Sequence, residues 1–456
     1  PHEKVVHQAN IQFSTSSNVP RYDRLSEVIQ GKPRFSEWYY GPQVRNMVGY
    51  KLSKEKLNGC FQDLTLNANY QHLEESRMTR RFKSNNKDYR FEEVDMFGFN
   101  VDLLHQGKSS ELHVGVESYY NNVGSTAYRN NIATNLRNAI ATRYSDGPTN
   151  LANYAIYAQH TQFLKGNWVL NSGLRLNNVQ LNANFIDTAL MHFPFTDANQ
   201  NNTAITGNLG MAYNGADGLR VTFGVSSGFR APNVDDMGKI FDSQPGTVLV
   251  PNQELRSEYA YNAEVNLNKI LFGKIKLDVT GYYTWLDQAM VRRPSTWNGQ
   301  TELLYNGEMS QIFSIQNAAF AEVKGIQAGM EVAISKELLF TSNYNWQKGV
   351  EELDDKSRSP SRHAAPAFGA SKLRLNGKKG TLELSAQYSA AMPFEKMPQE
   401  EIAKPAIYAT DAQGKPYSPA WMIVNFAARI PITPKIQVNA GVENLLDLQY
   451  RGYSSG

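Results

Sequence analysis

Basic side chains crowd one stretch of this chain: Arg77, Arg80, Arg81, Lys83, Lys87 and Arg90. Guanidinium groups offer forked donors to carboxylate or phosphate, so such a cluster suits capture of an anion. Haem propionates, a ferric siderophore and a phosphate-bearing molecule all qualify. A solvated loop that meets lipopolysaccharide phosphates accounts for the same residues, and Glu92 and Glu93 stand near enough to neutralise it. His192 and His363 lie in polar stretches from which an imidazole could reach a ligand; solvated loop histidines are the competing reading. Gly224-Val225-Ser226-Ser227-Gly228 has the nucleophile spacing G-x-S-x-G, which needs a strand, a sharp elbow and a helix. Here the serines end a strand and Pro232 soon follows, so no catalytic residue is expected and the chain is not read as an enzyme. The single cysteine, Cys60, excludes an intramolecular disulfide and a cysteine-rich metal site. With 46 basic and 43 acidic residues the chain lacks the basic stripe of a nucleic-acid binder. No metal site and no resident cofactor are expected.

The elements that must hold these residues are strands. In 219–228, Leu219, Val221, Phe223 and Val225 share one face, while Arg220, Thr222, Gly224 and Ser226 share the other. Tyr259, Tyr261, Ala263, Val265 and Leu267 oppose Glu258, Ala260, Asn262, Glu264 and Asn266. The same period-two pattern recurs near residues 5–13, 61–72, 111–117, 168–176, 275–285, 326–334 and 436–442. Alternation of this kind marks a sheet with one apolar and one wet face. No apolar run is long enough for a transmembrane helix, and no amphipathic helix is evident.

Connection length carries a second signal. Short turns at 105–110, 164–167, 214–218, 268–273 and 376–380 alternate with long polar stretches. The long ones fall at 18–43, 74–88, 124–153, 184–203, 228–257, 294–319, 351–366 and 391–420. An up-and-down barrel in an outer membrane has this arrangement, with short turns on one rim and longer loops on the other. The expected fold is therefore an all-β, transmembrane, up-and-down antiparallel barrel. Roughly 17 strands can be placed where closed bacterial barrels use an even number, so the chain is expected to be a barrel domain over residues 1–456 truncated at both ends. The aromatic groups Trp38-Tyr39-Tyr40, Tyr119-Tyr120 and Tyr282-Tyr283-Trp285 are expected to anchor the wall at headgroup level.

Three segments in order carry a resemblance. SGFRAPNVDD at 227–236 resembles an Arg-Ala-Pro box after a strand. VPNQELRSEYAYNAEVNL at 250–267 resembles the asparagine-rich box that follows it, and GVENLLDLQYRGYSSG at 441–456 a penultimate strand and loop. The family is the TonB-dependent outer-membrane receptors, barrels of about 22 strands with a plugged lumen. PRYDRL at 20–25 and EWYYGPQ at 37–43 resemble Bacteroidota-type members. The resemblance implies TonB-driven uptake of a scarce ligand, with a small molecule or haemoprotein bound outside. TonB itself would act through an N-terminal plug that this chain does not show. It also implies an outer-membrane location among lipid and lipopolysaccharide, and ligand contacts from Arg230, Asn233, Asp235, Asp236 and Asn252. Arg77, Arg80, Arg81, His192 and His363 complete the candidate set.

The nearest subgroup is similar to haem and siderophore receptors. Haem receptors place a ligating His between the two boxes, and this sequence has none between Phe229 and Asn252. The expectation is chelated iron as siderophore or haem. Cobalamin, a glycan or a peptide remain as other cargo, and a passive porin-like channel, a barrel lipase or an adhesin as other functions.

Overall fold

Strands from 10 to 22 residues long build most of the molecule, and the alternation that selects a two-faced sheet runs along their membrane-spanning parts. The computed structural model describes all residues except 1–3, 30, 188–195, 217, 238–240, 245, 306–307, 318–319, 353–356, 362–363, 403–406 and 455–456. Among the described residues the main sheet holds 21 strands. Four are short pieces at Val19–Pro20, Phe35–Tyr40, Arg137–Ala139 and Arg358–Pro360, which leaves 17 wall strands. The wall is a meander: every long strand pairs antiparallel with the next, from Lys4–Thr15 against Val44–Glu55 to Trp421–Thr433 against Ile436–Val442. The expected all-β barrel topology and its strand count are what the structure has.

Register sets the faces. Leu52, Leu66, Val101, Val116, Ile156, Leu176 and Ile205 lie directly opposite one another across seven neighbouring strands. They belong to an outward apolar belt that also includes Ile11 at 79% exposure and Leu174 at 68%. Apolar surface left bare on this scale is the mark of a face meant for lipid. On the opposite face Asn67 donates to Asn100 at 3.1 Å, Asn100 donates to the Tyr157 hydroxyl at 3.0 Å, and Arg175 pairs with Glu117.

The long connections differ from their sequence reading. Residues 74–88 are mostly strand: Asp63–Arg81 and Asn86–Gln106 form one tall hairpin joined by 82–85. Ser110–Asn131 and Thr149–Phe163 likewise extend into 124–153, and Asp197–Asn214 into 184–203. At about 3.4 Å per residue these strands exceed a membrane-spanning length of roughly 10 residues, so their upper halves stand in water. Both faces are then wet, the alternation fades, and the sequence looks like loop.

The stretches 228–257 and 294–319 are not free loops either. They fold into a second, five-stranded sheet. In it Thr247–Val250 pairs parallel with Glu308–Asn317, and Met290–Pro294 and Glu302–Tyr305 pair antiparallel with that same strand. This sheet packs on the inner face of the wall near the long-loop rim. Val248, Val250 and Ile312 meet Leu181, Ala183 and Ala198, with Leu181 and Ile312 each 1% exposed. Among the described residues this is the larger of two apolar cores. Among the described residues helix is confined to single turns such as Tyr22–Leu25 and Val234–Met237.

Candidate functional site

The tall hairpins carry charge on their inner face by period-two placement. Arg77 lies opposite Arg90, Glu75 opposite Glu92, and Glu92 opposite Ser125 on the next strand. The inner wall here carries a row of two guanidiniums beside a row of two carboxylates. The segment 140–148 leans over it. Arg143 comes within 3.7 Å of Glu75, and the Tyr144 backbone N–H donates to Ser125 Oγ at 3.3 Å. Asp235, on the one-turn helix Val234–Met237, closes the cluster by bonding the Tyr144 hydroxyl.

Electrostatics hold the group together. Burial lowers the Arg143 pKa, but Tyr144, Asp235, Glu92 and Glu75 outweigh it and raise it above the ordinary guanidinium value. Burial pushes the Tyr144 phenol up, with Asp235 adding to the rise. Both residues stay in one protonation state at any physiological pH. Burial lowers the Arg77 pKa, with Arg143 and Arg90 adding to the fall and Tyr40 and Glu92 opposing it.

Polar valence is left open in this cluster. Glu92 is 6% exposed, yet both its carboxylate oxygens lack a hydrogen-bond partner among the described residues. Arg77 Nε lacks one too. Buried polar atoms are nearly always paired, so orphans clustered in one place mark where another polar group belongs. Beside them stands an aromatic pair. Trp38 and Tyr40 meet edge to face at 5.1 Å between centroids. Arg77 lies 5.3 Å from each ring, and Arg21 lies 4.9 Å from Trp38 and 5.6 Å from Tyr40. Cations flanking aromatic faces can hold an anion and stack against a flat group together.

The sequence-nominated residues separate on this map. Arg77 and Asp235 fall in the cluster. Arg80 does not: it points to the other face and bonds Glu37 at 2.6 Å, as does Lys87. Arg81 ends its strand opposite Phe35. Arg230 clamps Asp236 through two bonds of 2.9 and 2.7 Å, with Glu258 3.6 Å away. Asn233 and Asp236 cap the one-turn helix reciprocally at 3.1 and 3.0 Å. Asn252 ties the two loop segments by donating to the Ile315 carbonyl at 2.9 Å. These four shape the loop entry. His192 and His363 lie outside the described residues.

Glu75, Arg143 and Tyr144 are not among the residues nominated from sequence, where Glu92 stands as a neutraliser and Trp38 as a girdle residue. Trp38 is 8% exposed and lies among guanidiniums, because Phe35–Tyr40 pairs with the upper part of Asp63–Arg81. The spacing of Glu75 with Arg77 and of Arg90 with Glu92 was the available signal for one shared face. The G-x-S-x-G segment runs straight within the Arg220–Arg230 strand, with Ser227 Oγ accepting from the Gly207 N–H at 3.0 Å. The strand–elbow–helix context is not there.

Comparison with known proteins adds the following. A family model described as TonB dependent receptor-like, beta-barrel matches residues 7–445. No curated protein matches in sequence. Among solved structures, the fold is similar to "Copper transporter OprC", with a TM-score of 0.73 at 12% identity over 91% of this chain and 61% of that one. It is similar to the FrpB iron transporter from Neisseria meningitidis (F3-3 variant), with a TM-score of 0.68 at 11% identity over 99% and 66%. It is similar also to the ferric yersiniabactin uptake receptor FyuA from Yersinia pestis, with a TM-score of 0.64 at 14% identity over 99% and 64%. The chain thus spans less than two thirds of the length of each of these three.

Proposed function

From a match over residues 7–445, by which the chain belongs to the TonB-dependent receptor-like β-barrel family, we propose that the whole protein is an outer-membrane receptor for TonB-driven uptake of chelated iron, as siderophore or haem. The observation that carries the cargo class is the inner cluster. Arg77 and Arg143 supply fixed positive charge, Trp38 and Tyr40 supply aromatic surface, and Glu92 with Arg77 Nε leaves polar valence open. An anionic chelate with flat, conjugated groups complements that combination. Solved structures of the same fold include proteins named for the transport of iron, ferric yersiniabactin and copper.

In this reading the outer segments collect the ligand and the second sheet guides it towards the inner wall. The guanidiniums hold its anionic groups while water is excluded. TonB acts through the N-terminal plug that such receptors carry, and plug movement opens the path. No covalent step is required of any residue described above. The test is growth of a deletion strain under iron limitation, with haem, several siderophores, cobalamin or glycans supplied one at a time. Lost growth on one iron source, restored by the full-length gene, is the expected result. Unchanged growth on every iron source would reject the iron reading, and a defect on cobalamin or a glycan would reassign the cargo.

A further inference from the structure

The belt ends, on one sector of the outer wall, in a basic cavity. Strand parity puts Ile326 and Trp346 on the lipid-facing side, directly opposite each other. One step further towards the long-loop rim, Lys324 and Lys348 stand opposite each other on that same face, with Tyr283 beside Lys324. The next step brings Glu322 beside Trp285. Like charges directly across a ladder destabilise it, so a bare Lys–Lys pair is a cost with no structural return. Neither lysine has an acidic partner within salt-bridge distance among the described residues.

A cavity of about 790 Å³ opens over this pair, between the short strand Arg358–Pro360, which pairs with Val350–Glu352, and the start of the next wall strand at Phe368. Arg358 and Lys396 line it as well. Its two carboxylates are already engaged: Glu322 accepts from the Tyr283 hydroxyl at 2.7 Å, and Glu395 lies 3.9 Å from Lys415. Four cations therefore face a volume larger than a bare ion needs. The rows below it are apolar: Ile326 with Trp346, then Ala328 with Tyr344. Exposed Tyr261, Tyr283 and Trp285 flank it at the height where aromatic girdles meet headgroups.

We infer that this cavity binds a phosphate-bearing glycolipid headgroup of the outer leaflet, with Lys324 and Lys348 gripping the phosphate. The acyl chains would run down the belt past Ile326 and Trp346. The inference rests on the outer-membrane reading above and adds a site to it. Charge complementarity and continuity with the belt select a lipid over a soluble anion, because a free phosphate would leave most of the cavity unfilled.

The test uses the full-length protein extracted from outer membranes and probed with lipid A, dephosphorylated lipid A and inorganic phosphate. Wild type and Lys324→Arg/Lys348→Arg are expected to retain lipid A through purification. Lys324→Ala/Lys348→Ala should bind it about tenfold more weakly, on the scale of one or two basic contacts with an anionic leaflet. The dephosphorylated lipid should bind wild type no better than it binds the alanine variant. Equal retention of lipid A by wild type and the alanine variant, or displacement by inorganic phosphate at matched concentration, would overturn the site. Heat-modifiable migration reports barrel folding for each variant. A folded barrel in the outer membrane with no lipid difference overturns this inference alone, whereas recovery outside the outer membrane overturns the location with it.

Discussion

The outward belt and the inward sheet near the long-loop rim are built from the same residue types to opposite ends. In the belt, Ile156, Leu176 and Ile205 lie side by side and stay bare. In the inner sheet, Val248, Val250 and Ile312 are sealed against Leu181 and Ala183. One face is completed by lipid, the other by protein. Exposure of apolar side chains in this chain is therefore a property of the face and not of the segment. Leu176 and Leu181 sit on the same strand, five residues apart and on opposite faces, one bare and the other at 1% exposure. Function follows the same division: the bare face anchors, and the sealed face carries the polar cluster of Arg77, Glu92 and Arg143.

The strongest way to break the comparison is to put a charge in the belt. Leu176→Arg is expected to lower barrel stability by about 3 kcal/mol in lipid, the scale for a basic side chain on the lipid face. Urea unfolding in vesicles measures it. An unchanged midpoint would mean that this face does not meet hydrocarbon. A smaller effect is expected from Ile312→Ala, which removes buried methyl groups from the inner sheet at a cost of about 2 kcal/mol. That loss should be local: limited proteolysis within 289–317 should speed up while the wall keeps its heat-modifiable folded form. If the whole barrel unfolds instead, sheet and wall are one cooperative unit and the division fails. Arg230→Ala is expected to have the mildest effect, about 1 kcal/mol or less for a partly exposed clamp. It should loosen the turn at Asn233–Asp236, read as faster amide exchange at Asp236 and Met237, whose N–H groups bond Asn233.

Much of the wall was legible in the sequence. Phe223 and Val225, or Val265 and Leu267, announce their face because each apolar residue is followed by a polar one. The tall hairpins were not legible above the membrane, since Glu74–Arg81 has polar side chains on both faces and loses the signal. The second sheet was hidden for another reason. Thr247–Val250 and Gln311–Ser314 pair in parallel across about sixty intervening residues, and no local pattern encodes such a partner. Of the cluster, Arg77 and Asp235 could be named from charge density and from the Arg-Ala-Pro box. Arg143 and Tyr144 could not, because only the fold brings 140–148 over the inner wall. The box residues Arg230, Asn233 and Asp236 bond one another and so hold the shape of the loop entry.

In the proposed function the inner cluster handles the cargo while the belt only anchors. Uptake of iron-labelled haem and ferric siderophores by iron-starved cells tests it most directly, comparing the full-length wild type, Arg77→Ala/Arg143→Ala and Leu176→Ala at equal surface abundance. The arginine variant is expected to lose uptake of one chelate about tenfold or more, the scale of a single lost charge-assisted contact, and the belt variant to keep wild-type uptake. Equal uptake by wild type and the arginine variant, or an equal loss in both variants, would contradict it.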